Sequence, residues 1–147
     1  MVQGDEPLIN TKNIKKSIEP FKKNKNLDAV NLMNKIKDKS LLEDINCVKV
    51  VFDKNKKAIY FSRSLIPFSE KNSKEVYKQV CVIPFSRKGI IKYMKLKPTI
   101  LEKIESIDML RFIENDISIQ MVEIKNYTHP VDNLSDLKKV QNYIRNR

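Results

Sequence analysis

The stretch Val2-Gln3-Gly4-Asp5-Glu6-Pro7, followed by Leu8 and Ile9, decides how the rest of the chain is read. An apolar residue runs into a glycine, two acids and a proline. Glycine opens backbone conformations closed to other residues, and proline cannot continue a strand ladder. The pattern describes a buried strand that ends in a sharp turn with Asp5 at its tip. Ligands of open α/β sheets bind beyond the carboxyl ends of the strands. Asp5 is therefore a candidate metal or substrate carboxylate. An Asx-turn acid that only satisfies backbone N–H groups is the other reading of the same residues.

Downstream, Thr11 is placed to cap a helix with Ile14, Ile18 and Phe21 on one face, which Pro20 should end or kink. Residues 27–33 read as a short strand or loop, and Leu41 and Leu42 mark a helical turn. The runs Val48-Lys49-Val50-Val51-Phe52-Asp53 and Ala58-Ile59-Tyr60-Phe61-Ser62-Arg63 flank a polar turn and form a hairpin. Extended chain follows through Phe68. A strand from Val76 to Ile83 stops at Pro84, and Ser86 to Tyr93 is helical. Residues 100–115 should form one helix after a cap formed by Lys97-Pro98-Thr99. On it Ile100, Ile104 and Ile107 share one face, while Glu102, Glu105 and Met109 share another at ~100° per residue. Ile117 to Ile124 is a strand. Asn133 then caps a last helix carrying Leu134, Leu137, Val140 and Ile144, with Asp136 as a box-like partner and the Asp132 carboxylate left free.

A chain of 147 residues with 41% hydrophobic and 32% charged content describes one soluble domain, residues 1–147, and the cytoplasm is the default compartment. No apolar run reaches membrane length. The net charge of +11 comes from 29 Lys and Arg against 18 Asp and Glu. The lysines are scattered and only five residues are Arg, so the clustered basic face of a nucleic-acid binder is missing. The same field would favour a small anionic substrate. Cys47 and Cys81 stand without a second pair, and His129 is the only histidine, which removes His-rich metal sites and disulfide frameworks. With Gly4 and Gly89 as the only glycines, no Gly-rich phosphate loop is present.

Several of these segments, taken in order, resemble the 3-deoxy-manno-octulosonate cytidylyltransferases (CMP-KDO synthetases). They are residues 2–8, Val48-Lys49-Val50-Val51, Ala58 to Arg63 with Ile66-Pro67, Leu101-Glu102-Lys103-Ile104-Glu105-Ser106, Leu110-Arg111, Glu114-Asn115, Val131-Asp132 and Asp136-Leu137. The resemblance covers essentially the whole chain. It implies an α/β fold with a Rossmann-like mixed sheet of the nucleotide-sugar-transferase type, flanked by helices and present here only as its C-terminal part. It implies a homodimer that transfers CMP from CTP to a 2-keto-3-deoxy sugar acid (KDO or a relative) with Mg²⁺ and release of pyrophosphate, for lipopolysaccharide or surface-polysaccharide synthesis.

On the resemblance, the metal-binding and catalytic aspartates fall on Asp5 and Asp132, and sugar-acid contacts on Gln3, Arg63, Gln79, Glu102 and Glu105. A guanidinium fork at Arg63 suits a carboxylate. Nucleotidyl transfer needs in-line placement and neutralised phosphate charge rather than a protein nucleophile. The chain departs from the family pattern at Gln79 in place of His, Ile83 and Phe85 in place of Tyr, and Met109 in place of Gln. Either the sugar differs from KDO, or the chain is a non-catalytic remnant that serves as a dimerisation or interaction module. The basic, Gly-containing CTP loop of the family precedes the Asp5 turn and has no counterpart here, so the isolated chain is expected to be inactive and marginally stable. The hairpin and the segment through Phe68, with Phe52, Tyr60, Phe61, Ile66 and Phe68 uncovered, are the expected dimer contact.

Overall fold

A computed structural model describes residues 1–68, 75–126 and 128–146. Its centre is β1 (Ala29–Lys35), in which every residue but the last is buried. That burial explains why Leu27 to Met33 lacks alternation: both faces of the strand are covered. β1 runs parallel to β5 (Ile119–Ile124) and antiparallel to β4 (Tyr77–Val80). β4 pairs with β2 (Lys49–Phe52), which pairs with β3 (Ala58–Ser62), giving the mixed order β3-β2-β4-β1-β5. The expected α/β sheet is thus present, and the β2–β3 pair is the expected hairpin. Its turn is held by Asp53, whose Oδ1 accepts from the amides of Asn55 and Lys57 at 2.8 Å. The tip then folds over to β5, where the Met121 amide donates to the Lys56 carbonyl at 2.7 Å.

Helix α1 (Thr11–Lys23) is capped by Asn10, whose side chain accepts from the Asn13 amide, and Thr11 is its first residue rather than its cap. Pro20 does not end it, because the chain continues helically to Lys23. Its covered positions are Asn13 and Ser17, while Ile14 and Ile18 are exposed. After the single turn α2 (Ser40–Glu43), helix α3 (Arg87–Lys95) starts at Ser86, whose Oγ accepts from the Gly89 amide at 3.0 Å. Gly89 lies so close to β1 that a Cβ there would meet the Asp28 carbonyl oxygen at 1.9 Å.

The long helix expected over residues 100–115 is two short ones, α4 (Ile100–Glu105) and α5 (Leu110–Ile113). Ser106 takes a left-handed conformation, φ 54°, and ends the first. The break turns Ile107 and Met109 into the core and leaves Ile100 and Ile104 in solvent at 73% exposure. Glu114, beyond α5, reaches back and accepts from the Leu101 amide at 3.0 Å, so the α4 start is held by a distant acid. Helix α6 (Leu134–Arg145) is capped by Asn133 as expected, but the Asp136 carboxylate does not complete a capping box and turns elsewhere.

The main core joins Ala29, Met33, Val50, Phe61, Ile83, Met109, Leu110, Phe112, Ile119 and Met121. Phe85, Tyr93 and Phe112 stack against one another beside it, with centroids 5.8 to 5.9 Å apart. Phe61 is fully buried and Phe52 packs edge-on against Tyr77, so neither is an open dimer surface. Ile59 and Phe68 of that region remain exposed.

Candidate active site

The N-terminal turn forms because Val2 bridges to Val82 and the Gln3 amide donates to the Cys81 carbonyl at 3.2 Å, which places Met1 to Gln3 beside the end of β4. The chain then reverses, with the Glu6 amide on the Gln3 carbonyl. Gly4 has ordinary backbone angles and open space around it, so the turn does not depend on a glycine there. Asp5 is presented at the tip as expected. No side-chain hydrogen bond holds its Oδ1, which is buried without a partner among the described residues. That disposes of the Asx-turn reading.

Opposite Asp5 stands the loop that leads into α6. The Val131 amide donates to the Asp5 carbonyl at 2.9 Å, which sets Asp132 beside the Asp5 turn. Asp136 fixes the loop from behind: its Oδ2 accepts from the Asp132 amide at 3.4 Å and its Oδ1 lies 3.0 Å from His129 Nε2. Both aspartates line one cavity of about 250 Å³. Incomplete hydration, followed by the charges of Asp5 and Asp136, holds the Asp132 carboxyl above the usual carboxylate range. Glu6, the next residue after Asp5, is pushed up by burial, a shift opposed by the Cys81 amide and by Lys78.

Six carboxylates, Asp5, Glu6, Asp44, Asp108, Asp132 and Asp136, line the cavity against Arg63, Lys78 and His129. The chain carries a net charge of +11, yet its cavity is locally acidic. Two adjacent carboxylates with an unpartnered oxygen suit a hard cation that keeps water or phosphate as its other ligands. They are poorly suited to an anion on their own. Neither thiol is poised as a nucleophile. Burial, followed by Glu6, Asp5 and Asp132, pushes Cys81 up to about 12, and burial also raises Cys47.

Gln3, Arg63 and Gln79 line the same cavity. Arg63 is firmly placed: Nε donates to the Glu105 carbonyl at 2.7 Å, Nη1 to Ile45 at 2.9 Å and Nη2 to Ser106 at 3.4 Å. One N–H on each terminal nitrogen remains for an incoming carboxylate. Lys49, fully buried, donates to the carbonyls of Asp44 and Arg63 and fixes the backbone below. Gln79 spends its amide nitrogen on Asn31 Oδ1 at 2.6 Å. Ile83 and Met109 make buried apolar parts of the wall, while Phe85 belongs to the aromatic stack.

Glu102 and Glu105 lie outside the cavity lining. The break at Ser106 turns them away and brings Ser106 and Asp108 to the wall instead. The Glu102 carboxylate accepts from Arg111 Nε and Nη2 and from the Thr99 amide, and Arg111 stacks 4.3 Å over Tyr93. Glu105 accepts from the Arg63 amide at 2.9 Å, Ser62 Oγ at 2.8 Å and Tyr60 at 3.3 Å, so it serves the placement of Arg63. Glu6, Lys78, Asp108, His129 and Asp136 escaped sequence reasoning. Only the adjacency of Glu6 to Asp5 and of His129 to the Asp132 loop signalled them.

Residues 1–121 match the family model described as Cytidylyltransferase. The chain belongs to the cytidylyltransferase family. Among its cytidylyltransferase relatives, the 3-deoxy-manno-octulosonate cytidylyltransferase of Fusobacterium nucleatum is 43% identical over 145 residues, which is 98% of this chain and 59% of that protein. The protein of the same name from Chlorobium limicola is 38% identical, covering 98% of this chain and 60% of that one. A solved CMP:2-keto-3-deoxy-manno-octonic acid synthetase complexed with CTP superposes with a TM-score of 0.86 at 28% identity, over 99% of this chain and 60% of that structure. The chain thus spans about three-fifths of the length of the cytidylyltransferases it matches.

Proposed function

We propose that this chain carries the cation-binding and sugar-acid-binding part of a cytidylyltransferase that joins CTP to a 2-keto-3-deoxy sugar acid and releases pyrophosphate. One observation carries the reading: Asp5 and Asp132 meet at one cavity, with Asp5 Oδ1 buried and unpartnered. A divalent cation such as Mg²⁺ held there would neutralise charge on phosphate oxygens during transfer. Asp5 and Asp132 are its ligands in this reading. The free N–H groups of Arg63 take the sugar-acid carboxylate, and Gln3 and Gln79 orient its hydroxyls. Because Glu105 and Lys49 fix Arg63 from behind, the fork is pre-set before the substrate arrives. Glu102 and Glu105 support these groups and do not touch the sugar.

The reading places the enzyme in the cytoplasm as a homodimer serving lipopolysaccharide or surface-polysaccharide synthesis. No helix among the described residues is long and apolar enough to cross a membrane. The wall formed by Ile83 and Met109, apolar where the resemblance expects hydrogen-bonding side chains, favours a sugar acid other than KDO or the second reading, a non-catalytic interaction module.

The test supplies the N-terminal portion of a relative, in trans or fused, with Mg²⁺, CTP and a panel of 2-keto-3-deoxy sugar acids. CTP binding returns first and pyrophosphate release second, and Asp132→Ala abolishes the release. The isolated chain is expected to release none. Failure of the completed protein with every sugar acid, despite CTP binding, supports the second reading. Robust release by the 147-residue chain alone overturns the assignment of roles.

A further inference from the structure

The two carboxylate turns are joined by more than the Val131–Asp5 bond. Lys78, on β4, is 6% exposed, and its Nζ donates to the Thr128 carbonyl at 2.7 Å. Thr128 is itself 2% exposed and opens the run that leads through His129 to Asp132. Glu6, which is 6% exposed and follows Asp5 directly, lines the same cavity as Lys78. Glu6 Oε1 accepts from the Cys81 amide at 3.3 Å, and its Oε2 is buried without a partner among the described residues. Lys78 therefore ties β4, just beyond which the Cys81 carbonyl accepts from the Gln3 amide of the Asp5 turn, to the carbonyl that opens the run to Asp132. Its register neighbour Lys49 is committed elsewhere, to the carbonyls of Asp44 and Arg63. A buried ammonium is costly to dehydrate and persists where its contacts compensate for lost water.

We propose that Lys78 is a positioning residue for the cation site: it locks the Asp132 turn against the Asp5 turn and sets the spacing at which the two carboxylates share a divalent cation. The inference rests on the reading of Asp5 and Asp132 as cation ligands. In this role Lys78 acts through the Thr128 carbonyl and not as a ligand of the cation.

Positioning and simple charge make opposite demands. A lysine that acts only through its charge repels a divalent cation, so removing it tightens binding. A lysine that holds the ligands in register weakens binding when it is lost.

The experiment titrates the purified chain with Mn²⁺, reading free Mn²⁺ by electron paramagnetic resonance, and records a thermal melt of each variant. Lys78→Met is expected to raise the Mn²⁺ dissociation constant about tenfold or more, and Lys78→Arg to stay within about threefold of the parent. If Lys78→Met melts out, Lys78→Gln, which is neutral and too short to reach Thr128 in the same way, carries the same expectation of weaker binding. Unchanged or tighter binding in the folded neutral variant overturns the proposal. Asp132→Asn separates the two levels. If the parent fails to bind Mn²⁺, or Asp132→Asn binds as well as the parent, the cation reading itself falls. If Asp132→Asn loses binding while Lys78→Met keeps it, only the role of Lys78 falls.

Discussion

The main-chain amide of Val131 donates to the main-chain carbonyl of Asp5 at 2.9 Å. The bond uses no side chain from either turn. It joins the start of the chain to the loop before α6, and so places Asp132 beside Asp5 whatever charge either carries.

This independence makes the aspartates separable from the fold. Asp5→Asn and Asp132→Asn are expected to leave the structure intact and each to weaken Mn²⁺ binding at least about tenfold, the loss of one charged ligand from a two-carboxylate site. A saturating divalent cation should raise the melting temperature of the parent and not of either variant, by mass action. Differential scanning fluorimetry with and without Mg²⁺ reads both. An equal shift in all three proteins would remove the cation from this site.

Gly89 gives a prediction of sign. In the interior of an exposed helix, Gly→Ala stabilises by about 1 kcal/mol. Here the new methyl would meet the Asp28 carbonyl oxygen at 1.9 Å, a backbone atom of the segment entering β1. Overpacking of this kind costs about 1–3 kcal/mol, and a backbone obstacle puts this site at the upper end. Gly89→Ala is therefore expected to destabilise by roughly 2 kcal/mol net, read as a lower urea midpoint. A gain in stability would show that α3 can move away from β1 freely.

Glu102 gives the pH prediction. Its hydrogen bonds from Arg111, the largest cause, hold its carboxyl below the usual carboxylate range, against the effect of burial. A carboxylate whose folded value is depressed adds stability that is present above its unfolded value, near 4.5, and is lost as pH falls through the folded value. The parent should therefore lose stability as pH drops from about 5 toward 3, and Glu102→Gln should lose less over the same window. At neutral pH the variant should be less stable by about 3 kcal/mol, the scale for breaking one partner of a largely buried pair. Sugar-acid binding by the completed protein should be unchanged apart from this. Parallel pH curves for parent and variant would contradict the assignment.

Much of the fold was legible from local pattern. The hairpin, the helix beginning near Ser86, the cap at Asn133 and most of the strand read over residues 117–124 follow from side-chain periodicity and short polar caps, which act within a few residues. The reading failed where local pattern is ambiguous. Ile100, Ile104 and Ile107 repeat at helical spacing, but Ser106 turns left-handed, and two of the three isoleucines end in solvent. Asn10 caps α1 one residue before Thr11, a choice between two competent caps that only the backbone path resolves.

By itself the sequence determined the acidic turn at Asp5, the loop acid at Asp132, the scarcity of glycine and histidine, and, through the resemblance, the family. Tertiary structure alone decided what surrounds those acids. Which side chains share a cavity depends on strand order, and here β4 lies between β2 and β1, which brings Lys78 to that cavity and to the Thr128 carbonyl ahead of Asp132. The same order leaves Glu102 and Glu105 behind the wall, paired with Arg111 and with the backbone of Arg63. A buried ammonium, an orphaned carboxylate oxygen and a glycine pressed on a carbonyl are set by contacts between residues far apart in the chain. Local propensity acts over a few residues and carries no record of such contacts.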